Sequence, residues 1–403
     1  MTRYRWVILA AGTTAQTTFS ALAVGLAAIA PQLRAEYHLT LAETGVVLAA
    51  TSFGMIVALL PWGLLTDRIG ERAVIALGLV SGGGVVAAAG TTTRVGPLVA
   101  LLALAGALGA SVNAASGRAV MGWFAERERG LALGIRQAAV PIGGAVAAAT
   151  LPWLASAGGT KLALAALGAS LVAGGALAGA LVREPPVRAA PEQLDTRAPL
   201  RDPRMWVLAG GASLYLTAQI ATMSFVVLFL HLHRGLSTHA AAAVLAVMNV
   251  LAIGARIGAG TWSDRIGARV APLRLLGLLL AAGMLVTAAL VDAPLAVLVP
   301  VLVLAGVLGM SWNGLAFTAA AERAGAARAG AALGFQQTTL AVVTALVPPL
   351  FAAVVVGASW RVAFALSAAG PLLGALALRR VPETTRRAGA RSLEMSAIPP
   401  AAR

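Results

Sequence analysis

Twelve apolar runs, each close to the roughly 20 residues that cross a bilayer core, succeed one another along this chain. They fall near 5–31, 41–66, 72–90, 96–124, 130–154 and 160–182, then near 205–230, 238–262, 271–291, 294–321, 329–356 and 360–380. Short charged or glycine-containing turns separate them. The connection 183–204 is long, polar and rich in Pro and Arg, which reads as a linker between two sets of six. The tail 381–403 is basic with Ser and Pro and reads as disordered. The first run continues past Ala30, too long for a signal-peptide core, so it is expected to stay as the first helix. The pattern predicts an all-α membrane protein, with bundles at 1–182 and 205–380.

One charged turn occurs twice. Gly63-Leu-Leu-Thr-Asp67-Arg68-Ile-Gly70-Glu71-Arg72 follows the second run of the first set. Gly260-Thr-Trp-Ser-Asp264-Arg265-Ile-Gly267-Ala268-Arg269 follows the second run of the other. A shift of 200 residues also lays Gly109-Ala-Ser111-Val-Asn113 on Gly309-Met-Ser311-Trp-Asn313. The same shift lays Leu133-Gly134-Ile-Arg136-Gln137 on Leu333-Gly334-Phe-Gln336-Gln337. These turns resemble the loop signature G-x-L-x-D-R-x-G-R-R/K of the major facilitator superfamily, departing from it at Glu71 and Ala268. The resemblance spans about 5–380. It implies two six-helix bundles in parallel repeat around a central site, alternating access, and a gating role for Asp67, Arg68, Asp264 and Arg265. Trp123 to Gly134 resembles the helix-five entry of anion-handling branches such as cyanate-permease-like members. Ala139-Val-Pro141-Ile-Gly143-Gly144 is similar to the Gly-Pro motif of drug antiporters but one residue short, and reads as a helix bend.

Composition agrees with the pattern. The chain is 59% hydrophobic and only 11% charged, against about 25% charged in a soluble domain. The net charge of +15 would suit nucleic acid, but the bases sit in short loops. Outside loops hold only Arg34, Arg94, Lys161, Arg234 and Arg361 if both termini are cytoplasmic. Positive-inside topology is therefore expected, in the inner membrane with the bilayer as partner and no nucleic acid. There is no cysteine, no phosphate-binding loop and no metal-ligand spacing. Neither catalysis nor a cofactor is expected, and the chain is read as a monomer.

Polar side chains inside a bilayer are costly and tend to face a bundle interior or a wet cavity. Spans three, six, nine and twelve carry almost none. Spans one, seven and eleven are rich in them, including Gln16, Gln219 and Gln336. With Asn113, Asn249 and Asn313 these are the candidate substrate contacts, although single hydroxyls among them equally suit bonds back to their own helix. Three arginines, Arg118, Arg136 and Arg256, lie about 10–12 Å inside the loops expected to be cytoplasmic at 1.5 Å per residue, and no Asp or Glu lies deep in any span. Arg118, near Trp123 and Phe124, is a further candidate substrate contact, although it also suits snorkelling to a loop acid. Arg136 and Arg256 suit binding of an anionic substrate, because a planar, permanently charged fork matches carboxylate-like groups. The repeat places Arg136 and Gln336 on opposite walls. His231 and His233 read as interface residues.

The expected function is transport of a small anion. Drug efflux is the alternative, disfavoured by basic rather than acidic buried residues, and a receptor that binds without transporting is the other. If Asp67 acts at a gate and not in the site, Asp67→Asn should slow turnover in proteoliposomes while leaving substrate affinity within a few-fold. Normal transport rates with lost binding would exclude that role.

Overall fold

The computed structural model describes residues 3–124, 126–184, 201–325 and 329–383, the side chains of Asp67, 126–127, 129–130 and 329–331 excepted. The expected linker and basic tail fall mostly outside these residues. Among those described there is no strand. The first set comprises α1 (Tyr4–Glu36), α2 (Leu41–Thr66), α3 (Arg68–Ala89), α4 (Val95–Trp123), α5 (126–157) and α6 (160–181). The second comprises α7 (Pro203–His233), α8 (Thr238–Ile266), α9 (Val270–Ala289), α10 (Leu295–Ala324), α11 (Ala329–Gly357) and α12 (Trp360–Arg380). The helices match the twelve apolar runs to within a few residues at most ends.

Helices α5 and α6 form one apolar helical segment of 51 residues, Leu131–Leu181. At 1.5 Å per residue a straight segment would run about 77 Å, more than twice a hydrocarbon core. The chain reverses at Gly158 and Gly159, where Gly159 takes φ +69°, a left-handed backbone that costs a glycine little. Glu36 caps the outgoing helix by accepting from the Thr160 amide at 2.9 Å. Gly70, at φ +84°, turns the α2–α3 hairpin in the same way.

Within the first set α4 lies along the α2–α3 hairpin and α1 packs on α5 and α6; in the second, α7 packs on α11 and α12, and α10 on α8. Spans α1 and α7 are the most buried. Large apolar side chains on α3, α6, α9 and α12 stay exposed, among them Leu77, Leu177, Leu285 and Leu373. That is the surface a lipid-facing scaffold presents.

The two sets meet along two seams, α2 against α11 and α5 against α8, which the 200-residue repeat interchanges. At one seam Gly45 lies so close to the Pro348 carbonyl that any side chain would collide with it. At the other, Gly144 lies against the amide of Asn249. Beyond Gly144, His239 packs against Trp153 at a tilt, with ring centroids 4.3 Å apart. Toward the end bearing the Asp-Arg turns the same four helices part: Gly63, Gly134, Gly254, Gly258 and Gly334 face open space. The seams are tight at the far end and open at the signature end.

The signature end of the second set is held by charge. Arg269 donates to Asp264 at 2.6 Å and to Glu322 at 2.9 Å. Glu383, just past α12, accepts from the amides of Arg269, Val270 and Ala271, the unsatisfied N–H groups that open α9. Removing a cap of this kind costs about 1 kcal/mol. Glu383→Ala should therefore lower the melting temperature in detergent by a few degrees, and Glu383→Asp should recover part of the loss.

Candidate functional site

The first-half site is built around Arg136. It projects from α5 into its own bundle and is only 7% exposed. Its Nε donates to Ser116 Oγ at 2.7 Å, and its Nη2 to Gln16 Oε1 at 3.2 Å and to the Asn113 carbonyl at 3.4 Å. Gln16 in turn donates from Nε2 to Asn113 Oδ1 at 3.0 Å. Helices α1, α4 and α5 are thus tied by one charge-assisted network in which every acceptor is neutral. Burying a charge is tolerable only with such satisfaction.

The second-half site is built around Arg256 on α8, which is half-buried. Its Nε donates to the Met310 carbonyl at 2.8 Å, where α10 is interrupted at Trp312, and its Nη2 to Asn313 Oδ1 at 3.3 Å. Its Nη1 crosses between the halves to the Gln137 carbonyl at 2.8 Å. Among the described residues neither Arg136 nor Arg256 has a carboxylate within 4.0 Å.

The repeat explains a contrast between the halves. Position 336 corresponds to 136, but Ser116 becomes Ala316 and Gln16 becomes Leu216. Gln336 is fully buried, and neither its Nε2 nor its Oε1 has a protein partner. Asn249 Oδ1, Gln219 Oε1 and Trp312 Nε1 are buried without partners as well. Orphaned donors and acceptors of this kind mark places where a ligand or water completes the bonding. Asn249 Nδ2 bonds back to the Leu245 carbonyl at 2.9 Å.

Several expected site residues fall elsewhere. Arg118 Nε lies 3.7 Å from Glu71 at the signature end, so it stands apart from the Arg136 network. Arg136 turns into its own bundle, toward α1 and α4, and Gln336 is fully buried. The hydroxyls of Thr17, Thr18, Ser213, Thr222, Thr338 and Thr339 accompany their own helices, donating to carbonyls three or four residues back. Around Arg136 the helices are joined by its guanidinium, the amides of Gln16 and Asn113, and one hydroxyl, that of Ser116. Asp264 pairs inside its own half, Arg68 and Arg265 are exposed, and the Asp67 side chain lies outside the described residues. His233 bonds Asp292 at 2.9 Å, and Arg361 bonds the same carboxylate at 2.9 Å. Arg361, with His233, holds the Asp292 carboxyl below its ordinary range. Sequence reasoning missed Ser116 and the Gln137 carbonyl. The signal for the second was present, because Pro141 stands four residues ahead.

Ser116→Ala copies the second half's Ala316 and leaves Arg136 Nε without its acceptor. A lost bond to a charged group costs about 1.5–3 kcal/mol. The melting temperature should fall accordingly, and Ser116→Thr should retain most of it.

Known proteins sharing this architecture were found by sequence and by fold. The sequence profile of the Major Facilitator Superfamily matches residues 13–348. An uncharacterized MFS-type transporter of Mycobacterium tuberculosis strain H37Rv is 30% identical over 372 residues, 91% of this chain and 83% of the relative. A bacterial homolog of the human lysosomal transporter Spinster, crystallised in an inward-facing and occupied conformation, superposes with a TM-score of 0.74. It shares 15% identity over 99% of both chains. The D-xylose-proton symporter superposes with a TM-score of 0.74 at 17% identity, over 94% of this chain and 99% of its own.

Proposed function

The chain belongs to the major facilitator superfamily of transporters, and we propose that within it the protein carries a small anion by alternating access. The observation that carries this reading is the pair of guanidiniums, Arg136 and Arg256, one in each half, whose partners are all neutral. An arginine held away from water keeps its charge and favours an anion with oxygens that fit its fork. Gln16, Asn113 and Asn313 orient the two charges. Gln219, Asn249 and Gln336 bring unpaired polar atoms for the neutral parts of the ligand. Arg118, engaged with Glu71, is left out of this site.

The arginine distribution supports a cytoplasmic signature end and two cytoplasmic termini. On that assignment the seams are closed outside and open inside, and the substrate reaches the arginines from the cytoplasmic side. The Asp67-Arg68 and Asp264-Arg265 turns then close that side in the opposite conformer, when the ends of α2 and α8 approach the other half. The protein works as a monomer of two rocking bundles in the inner membrane.

The test is a melting-temperature screen of the purified protein against small carboxylates, phosphate and nitrate-like anions, since a ligand of the folded state raises that temperature. Affinities of Arg136→Lys and Arg256→Lys for the best anion follow. A point ammonium does not reproduce the planar fork. Each substitution should weaken binding by about 10- to 150-fold, the equivalent of one charge-assisted contact. Unchanged affinity in both variants would remove the anion reading.

A further inference from the structure

Gln137 closes one helical segment of α5 and Ala139 opens the next. In an α-helix a carbonyl accepts from the amide four residues ahead. For Gln137 that residue is Pro141, which has no N–H to give. The Gln137 oxygen therefore lacks its regular helical partner, and Nη1 of Arg256 supplies one from the opposite half at 2.8 Å. The other two bonds of Arg256 stay within its own half, to Met310 and Asn313.

We infer that Pro141 is a positioning residue of the anion site, because the carbonyl it uncovers holds Arg256 against α5 whenever the halves meet at this level. This rests on the reading of Arg256 as an anion ligand. An oxygen of the anion and the Gln137 oxygen compete for the same N–H. That donor is occupied while α5 and α8 touch here and is released when they part. The site then binds an anion unequally in the two arrangements. A ligand moves a conformational equilibrium only through such a difference in affinity. The uncovered carbonyl thus links occupancy of the site to the separation of the halves.

A bend in α5 alone would give Pro141 a purely structural role, and a double-mutant cycle separates the two. The full-length chain has no cysteine, so Leu64→Cys and Ile266→Cys, exposed residues on α2 and α8, place two spin labels across the signature end. Distance populations are measured in lipid nanodiscs for four chains, with and without Pro141→Ala, each with and without Arg256→Gln. Pro141→Ala restores an amide that covers the Gln137 carbonyl. With Arg256 present it should shift the population ratio away from the described separation by roughly tenfold, the worth of one bond to a charged group. In the Arg256→Gln background the same change should shift the ratio less than about twofold, within the usual scatter of independent sites. Equal shifts in both backgrounds, or none in either, would overturn the positioning role. The lysine-variant affinities decide the anion reading separately, so each can fail without the other.

Discussion

A guanidinium taken out of water must be surrounded by acceptors, and that requirement organises the middle of this protein. Arg136 is satisfied only because α1 and α4 bring oxygens within reach: Gln16 from α1, and Asn113 and Ser116 from α4. Arg256 is satisfied only because α10 is interrupted beside it and because α5, in the other half, exposes a carbonyl. In a hydrocarbon surrounding, no water is available to replace a missing partner. The helices that carry the two charges are fixed by their bonding needs as much as by apolar packing.

The duplication makes this constraint visible, because the halves have resolved it differently. At 136 the charge and its acceptors are kept together. At 336 the charge is replaced by an amide, and two of the acceptors by Ala316 and Leu216. The first half is thereby closed on itself around its arginine, while the second leaves Gln336, Gln219 and Trp312 with open valences. The second half's arginine has moved to α8, at the seam. One bundle holds a finished network and the other an unfinished one.

Much of the fold was legible in the sequence because a bilayer leaves few options. Apolar runs of spanning length become helices, and the repeated Asp-Arg turn and the 200-residue shift pair the two sets. The reversal at Gly158 and Gly159 is likewise written in the residues. The site was only partly legible. Residue type and spacing marked Arg136 and Arg256, but not the direction in which a long, flexible side chain points. Arg136 turned inward because its acceptors lie on α1 and α4, which the sequence does not place in register. Arg118 lies near Glu71 because Gly70 bends the α2–α3 hairpin toward it. Most hydroxyls of the polar spans return to their own backbone, while Ser116 and the Ser213–Thr339 pair also join helices. A backbone carbonyl carries no letter of its own, so the partner of Arg256 was readable only through the proline that uncovers it.

Two permanent cations well inside the hydrocarbon have an electrical consequence. A unit charge carried through the whole membrane field exchanges about 2.3 kcal/mol per 100 mV. Helices that tilt Arg136 and Arg256 relative to that field carry part of this energy with them. On the anion reading proposed above, a bound monoanion leaves the two arginines with one net positive charge, and a dianion with none. On that reading empty and loaded carriers respond to membrane voltage to different degrees, and the valence of the cargo sets how strongly the voltage steers the return stroke.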